Sequence, residues 1–228
     1  MKKFIKVFLI FIILITLFNK KIITFYYINK FSNWVERPVE IENIDFEYSG
    51  YIEIENIKIK NLDKTYQKNI FEAEKIILDV DINTLLSNLI VVRKLNFINP
   101  KFFLDIKLSN KKINSDKKEK KIVSSYEDNI GLAKKINEKT ADKIWPKKTR
   151  DINFIILESN LTGAKTNINI SSISQSTETY LSDMKFINFG NKKNIQHYKD
   201  VLKFILFDTY ASTKNRKIKK VLRDVYKF

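Results

Sequence analysis

The stretch YIEIENIKIK at residues 51–60 constrains the fold more than any other part of the chain. Isoleucines alternate there with charged or amide residues, and alternation with a period of two gives a strand one apolar and one polar face. The alternation slips by one residue at Glu55–Asn56, which predicts a β-bulge, and Gly50 just before the stretch permits a tight bend. We therefore expect a half-buried, twisted strand at this place.

The same alternation recurs along the chain at the close spacing typical of antiparallel strands joined by short turns. Strands are predicted at residues 39–48, 51–60, 72–82, 91–98, 101–108, 151–158, 166–173 and 179–190. Near the C-terminus the apolar residues repeat at helical spacing, which predicts amphipathic helices at 194–212 and 216–228. The fold class expected from these patterns is α+β with a mainly antiparallel sheet.

The first 18 residues are very apolar, and from Val7 to Phe18 they carry no charge. Basic residues on both sides can extend a short helix to the thickness of a bilayer. A cleaved signal peptide is the competing interpretation, but no small-x-small cleavage site follows. We therefore expect an uncleaved transmembrane helix with a cytoplasmic N-terminus. Its membrane-facing residues would be Phe4, Val7, Phe8, Phe11, Leu14 and Phe18.

Changes in composition divide the chain into four predicted parts. They are a membrane anchor at 1–28, a first β region at 29–108, a lysine-rich loop and helix at 109–150, and a second β section with C-terminal helices at 151–228. Within the third part the loop is expected at 108–121 and the helix at 119–144, because its apolar residues fall near one helical stripe.

The net charge of +16 suggests a polyanionic partner. Nucleic acid is not favoured, because lysine far outnumbers the five arginines and no aromatic-basic motif is present. Anionic lipid headgroups are a better match for such a charge. The candidate headgroup-contacting residues in the last predicted helix are Lys217, Lys219, Lys220 and Arg223. The alternative is that this helix only packs against the fold.

Residues that carry out catalysis are scarce. The chain has one histidine, no cysteine and four isolated glycines, so a histidine-based triad, a thiolate metal site and a phosphate-binding loop are not expected. Asp79 and Asp81 share a strand flank, but such carboxylates are usually only solvated. We expect no enzymatic activity, no cofactor and no metal site.

The first 108 residues resemble the N-terminal portion of the AsmA family, which is related to TamB. The positions that carry the resemblance are Gly50, Ile52, Ile54, Asn56, Ile57, Ile59, Ala73, Val80, Asp81, Leu85, Leu86, Pro100 and Leu104. The resemblance implies an inner-membrane-anchored protein with its bulk in the periplasm of a Gram-negative cell. It also implies a strongly curved, groove-like sheet lined with aliphatic side chains, and a role in phospholipid transport or outer-membrane assembly.

Two functional hypotheses follow for the apolar sheet face. In the first, the face is an open groove that contacts the acyl chains of membrane phospholipids, and other envelope proteins are possible partners. Its candidate lipid-contacting residues are Ile52, Ile54, Ile57, Ile59, Ile76, Leu78, Val80, Leu104 and Ile106. In the second, the face is a closed core, and the chain is a structural or adaptor subunit of a membrane complex whose C-terminal helices bind a partner. Periodicity alone does not separate the two.

Overall fold

The computed structural model describes residues 24–25, 28–29, 31–33, 35–62, 67–85, 87–114, 120–129, 153–191 and 196–227. Within them the chain is mainly one β-sheet that curls into a half-barrel, followed by two helices. The strands are β1 Val39–Glu40, β2 Asn43–Phe46, β3 Tyr51–Lys60, β4 Asn69–Val80, β5 Leu89–Ile98, β6 Lys101–Asn114, β7 Lys120–Asp128, β8 Asn153–Thr162, β9 Lys165–Ile170, β10 Gln175–Tyr180, β11 Met184–Gly190 and β12 Gln196–His197. The helices are α1 Tyr198–Ser212 and α2 Arg216–Tyr226.

Three pairs of consecutive strands behave as single long strands that are bent in the middle. β5 and β6 both pair with β4 and keep one register across the residues that join them. β8 and β9 run parallel to β5 and β6, again in one register: Ile98 pairs with Thr162, and Lys101 with Lys165. β10 pairs with β9 and β11 pairs with β8, both antiparallel and again in one register. The sheet is therefore a stack of bent strands, and the bend produces the curl.

The bend is held by backbone hydrogen bonds between neighbouring corners. Asn99 N–H donates to Thr162 O at 2.9 Å, and Leu181 N–H donates to Ala164 O at 2.9 Å. Gly163 has a φ of +67°, which favours glycine, and a Cβ there would lie 2.2 Å from Asn99 Oδ1, so a larger residue would have to displace the Asn99 side chain. The corners therefore stack closely and fix the direction of the curl.

The irregularity in β3 differs from the predicted bulge. Glu55 pairs with Lys75 and Ile57 with Ala73, so no extra residue is inserted at Glu55–Asn56, and the shift in register lies between Ile59 and Lys60. Instead, Asn56 adopts a left-handed conformation with a φ of 50°. Ile54 and Ile59 consequently pack against the same cluster as the buried Ile57, despite the break in alternation.

Both helices lie on the inside of the bend. Leu95, Phe97 and Phe102, from the two sides of a corner, pack against one buried cluster that also contains Val201 and Ile205 of α1. α2 buries one face against β6 and β9, through Ile218, Val221, Leu222 and Val225. Its start is capped by Asn215, whose side chain accepts hydrogen bonds from Lys217 N at 3.0 Å and Ile218 N at 3.2 Å. The concave face thus carries the core.

The predicted fold class and localisation require correction. Both depended on a single membrane-spanning helix, and among the residues that the structure describes no helix is long and apolar enough to cross a membrane. α1 has 15 residues and α2 has 11, whereas a span needs about 20 apolar residues. A single-pass inner-membrane protein with a cytoplasmic N-terminus and a periplasmic bulk is therefore not supported. The expected membrane-facing residues, from Phe4 to Phe18, lie outside the described residues.

The third predicted part also differs. Residues 101–114 form one strand, so the expected loop does not begin at 108, and Lys120–Asp128 is a strand that pairs with β6 rather than the start of a helix. Ile122 and Tyr126 have helical spacing, but Ile122, Ser124 and Tyr126 fit a period of two equally well. Residues 120–128 form a strand because they pair with the edge of β6. Residues 130–144 of the expected helix lie outside the described residues.

Candidate apolar groove on the concave face

The structure separates the nine predicted lipid-contacting residues into two groups. Leu104 and Ile106 lie beneath the helices, whereas seven residues lie on β3 and β4, towards the other arm of the sheet. Those seven are Ile52, Ile54, Ile57, Ile59, Ile76, Leu78 and Val80.

The Leu104 and Ile106 side chains are closed off by the protein itself. They are 2% and 0% exposed, in a cluster with Ile218 and Leu222 of α2. Here the core interpretation of the apolar face is the better one for Ile106, whereas Leu104 also borders the cavity beneath α1.

The arm formed by β3, β4 and β5 is covered less completely. Ile57 and Ile76 are buried, but Ile54, Leu78 and Leu95 around them are only half-buried. Phe31 and Val35, which precede the first strand, pack against the same cluster. Ile52 is half-buried opposite Leu78, and Val80 is buried. An apolar strip of partly exposed side chains therefore continues beyond the helices.

Three aromatic rings connect this strip to the region under α1. The ring centroids of Phe97 and Phe71 are 6.1 Å apart with an edge-to-face angle of 88°, and those of Phe71 and Phe102 are 5.5 Å apart. All three side chains are half-buried. The apolar surface is therefore continuous from β5 to β6.

A cavity of about 180 Å³ opens at the Phe102 end of these rings, between the sheet and α1. Its lining consists of apolar side chains and two threonines: Ile70, Phe71, Phe102, Phe103, Leu104, Thr166, Leu202, Ile205, Leu206 and Thr209. The hydroxyls of Thr166 and Thr209 lie 3.0 Å apart, and Thr209 also donates to Ile205 O at 2.8 Å. Since these polar groups bond to one another and to the backbone, the cavity is suited to an apolar guest rather than to water.

Sequence reasoning missed several residues of this site. Phe71, Leu95, Phe97, Phe102 and Leu202 were not among the candidates, although Phe102 alternates with Leu104 and Ile106 and so could have been placed on their face. Leu202 shares a helical face with Ile205. What the sequence lacks is the register that brings Phe71 beside Phe102, and the packing that places α1 across them.

Three aspartates, Asp79, Asp81 and Asp105, form hydrogen bonds with neighbouring groups of the protein. Asp79 binds the exposed Arg93, and this hydrogen bond holds the pKa of Asp79 below its ordinary value. Asp81 accepts a hydrogen bond from Asn83 N at 3.1 Å at the start of a short 3₁₀ turn. The buried Asp105 accepts hydrogen bonds from Gln67 N at 2.7 Å and from two side-chain amides. Within the described ranges no cluster of acidic residues and histidine could hold a metal ion.

The predicted headgroup-contacting residues lie on α2, opposite its buried face. Lys217, Lys220 and Arg223 are exposed. Lys219 is half-buried: its Nζ donates to Ala211 O at 3.1 Å and lies 5.0 Å from the centre of the Tyr210 ring. The apolar face of α2 is already used for packing, so only its basic face is available to a partner.

The chain was compared with protein-family models, with curated proteins and with solved structures, and it matches none of them. The resemblance to the AsmA family therefore rests on the sequence pattern alone and stays a prediction.

Proposed function

We propose that the protein binds an apolar chain, such as the acyl chain of a lipid, on the concave face of its sheet, and that this binding is its function rather than catalysis. The observation that carries the proposal is the apolar cavity beneath α1. It is connected through Phe102, Phe71 and Phe97 to the apolar strip of partly exposed side chains on the arm formed by β3, β4 and β5. A fully closed core would have no such continuation.

The extent of the apolar surface beyond the cavity, rather than the volume of the cavity, favours a chain over a compact ligand. An apolar cavity of roughly 150 Å³ holds a molecule the size of benzene, so the 180 Å³ beneath α1 accommodates only one end of a lipid tail. The remainder would lie along the half-buried Leu78, Leu95 and Phe97. This arrangement has few polar groups to orient a reacting substrate, which supports a binding role.

Transfer of phospholipid between membranes, or assistance in envelope assembly, is the physiological role that the AsmA resemblance suggests for such a groove. The adaptor hypothesis is supported by the part of the face that α1 and α2 cover, where Ile106 and Ile170 lie in a closed core. The two functions predict opposite results when the full chain meets a free acyl chain.

The test measures binding of cis-parinaric acid, a fluorescent fatty acid, to the full chain. The variant Leu202→Phe places a larger side chain at the edge of the cavity, whereas Leu157→Phe adds the same atoms at an exposed position on β8 that does not line the cavity. We expect fluorescence enhancement with the wild type and with Leu157→Phe, and a loss of roughly tenfold or more in affinity with Leu202→Phe.

A thermal melt of each variant confirms that the fold persists. Equal affinity for all three proteins would place the fatty acid elsewhere, and no binding by the wild type would favour the adaptor hypothesis. Mass spectrometry of lipid that co-purifies with the full chain then identifies the natural ligand. A lipid-free, stable protein in that experiment counts against the proposal.

A further inference from the structure

A second apolar surface lies on the outside of α1, away from the groove. Phe204 and Phe207 are each 54% exposed, and Ile187 of β11 is 58% exposed. They line an open depression of about 450 Å³ together with Met184 and Phe186, and three polar residues complete its lining: Lys185, Gln196 and Asp208. The Phe204 ring centroid lies 6.3 Å from that of the buried Phe186, so the exposed Phe204 ring packs directly against the core. Scattered apolar residues are common on protein surfaces, but a contiguous patch indicates an interaction site.

This patch borders the basic face of α2. The Phe207 ring centroid is 6.4 Å from that of Tyr210, and Lys219 Nζ of α2 lies over the Tyr210 ring, 5.0 Å from its centroid. Beyond Lys219 the exposed side chains of α2 are predominantly cationic, and the one acidic residue of this helix is Asp224. The exposed cations are Arg216, Lys217, Lys220 and Arg223.

The acidic residues near the patch are already engaged in hydrogen bonds or ion pairs. Asp208 accepts from Ser182 N at 2.9 Å and from the Ser182 hydroxyl at 3.3 Å. Asp200 binds Lys203 at 2.8 Å, and Glu158 binds Lys185 at 2.7 Å. The serine groups leave the charge of Asp208 in place, and Arg223 lies 3.9 Å from Asp224. The net positive field in front of the two helices therefore comes from the other exposed cations of α2, Arg216, Lys217 and Lys220, in a chain whose net charge is +16.

We propose that this surface docks on an anionic lipid bilayer, with Phe204, Phe207 and Ile187 inserted among the headgroups and the basic face of α2 against them. Charge complementarity selects this partner, because aromatic side chains beside lysine and arginine match the interface of an anionic membrane. α2 itself does not insert, since Ile218 and Leu222 are held by the core. The docking is peripheral and does not depend on whether the groove binds a lipid.

The absence of cysteine from the sequence permits a site-specific test on the full chain. In the variant Ile187→Cys, an environment-sensitive fluorophore is attached to the new cysteine within the patch. In the matched control Tyr48→Cys, the same fluorophore is attached at a fully exposed turn residue. The labelled proteins are mixed with phosphatidylcholine vesicles that either contain or lack phosphatidylglycerol. We expect a blue shift at position 187 with the anionic vesicles at low salt, reversed by high salt, and no shift at position 48.

Three double variants in the Ile187→Cys background, one of them a control, then separate the contributions of the aromatic and basic residues. Phe204→Ala with Phe207→Ala should abolish most of the shift, and Lys217→Gln with Lys220→Gln should weaken vesicle binding by roughly tenfold or more. Lys58→Gln with Lys94→Gln removes the same charge from exposed positions on β3 and β5 and should leave binding unchanged.

The proposal is overturned if position 187 shows no shift with anionic vesicles, which would leave the patch to a protein partner. It is also overturned if the two lysine double variants weaken binding equally, because the charge of the whole chain would then be responsible. Loss of fatty-acid binding by Leu202→Phe affects neither readout, so failure of the groove and failure of the docking surface are distinguishable.

Discussion

The hydroxyl of Tyr226 donates a hydrogen bond of 2.7 Å to Asp128 Oδ2, which joins the last turn of α2 to the end of β7. Asp128 is 6% exposed, and 98 residues separate the two partners in the chain. The contact therefore fixes the helix that closes the core over β6 and β9.

Replacing this tyrosine should destabilise the fold. Tyr226→Phe removes a hydrogen bond to a charged group, and we expect the free energy of unfolding to fall by about 1.5–3 kcal/mol. Urea unfolding followed by circular dichroism measures the change. Tyr48→Phe, at a fully exposed position, is the control and should have no measurable effect. Equal midpoints for both variants would contradict the structural role of the contact.

The same residue should make stability sensitive to alkaline pH. Burial, reinforced by the neighbouring Asp128, raises the pKa of Tyr226 well above its ordinary value, which is about 10 in an unfolded chain. The unfolded state therefore loses its proton first, so the stabilisation is complete below pH about 10 and declines as the pH rises towards the folded pKa. The gap in stability between wild type and Tyr226→Phe should narrow over that range. A constant gap would show that the phenol does not remain protonated in the fold.

The buried threonine pair at the cavity should show coupled effects. Thr209→Val or Thr166→Val alone removes one partner of the 3.0 Å hydroxyl contact, at an expected cost of about 1–3 kcal/mol. The double variant removes both hydroxyls, and its cost should be smaller than the sum of the single costs. A double-mutant cycle by urea unfolding measures the difference. Strict additivity would mean that the hydroxyls do not interact.

The bend before β3 should tolerate only glycine. Gly50 has a φ of +93°, and a Cβ at this position would lie 2.0 Å from Val80 O. The backbone N–H of Val80 also donates a hydrogen bond to Gly50 O at 2.9 Å. Gly50→Ala should therefore lower the free energy of unfolding by about 3 kcal/mol or more, from backbone strain and the clash. Lys58→Ala, an exposed change in the same strand, should cost little. Similar thermal midpoints for the two would refute this prediction.

Substitutions of a buried residue on β3 and of a half-buried residue on β4 should affect the stability of the fold and the binding of the ligand differently. Ile57 is 1% exposed, so Ile57→Ala should cost about 2–5 kcal/mol. Leu78 is half-buried on the proposed strip. Leu78→Ala should cost less stability but weaken the binding of cis-parinaric acid. If Leu78→Ala binds the fatty acid as the wild type does, the strip is not part of the site.

The positions of many strands along the chain could be predicted, because alternation is a local property. β3 was predicted with its observed bounds, and β4, β5, β8 and β9 were displaced by only a few residues. β7 was predicted as loop and helix, and only the last two residues of β10 were predicted as strand. The errors occurred where one pattern fitted two structures. Residues 120–128 have apolar spacing compatible with a helix and with a strand, and Asn56 shifts the alternation by its backbone conformation rather than by an inserted residue.

The site was predicted in part. Alternation identified Ile54 and Leu78 as members of an apolar face, but it also assigned Leu104 and Ile106 to the open groove, although α2 packs against both and only Leu104 still lines the cavity. Coverage by a helix from the far end of the chain is a non-local property, so no pattern within β6 could show it. For the same reason, no pattern within residues 194–212 could show that Phe204 and Phe207 remain exposed.

The sequence by itself determined which segments alternate, which helices are amphipathic, and that one sheet face is apolar, because these properties depend on neighbouring residues. Only the tertiary structure decided that consecutive strands are bent halves of single strands, and which apolar residues remain partly exposed. Register and helix placement depend on contacts between residues far apart in the chain, such as Phe71 with Phe102 and Thr166 with Thr209. Those contacts turn an apolar face into a closed core at one end and a candidate groove at the other.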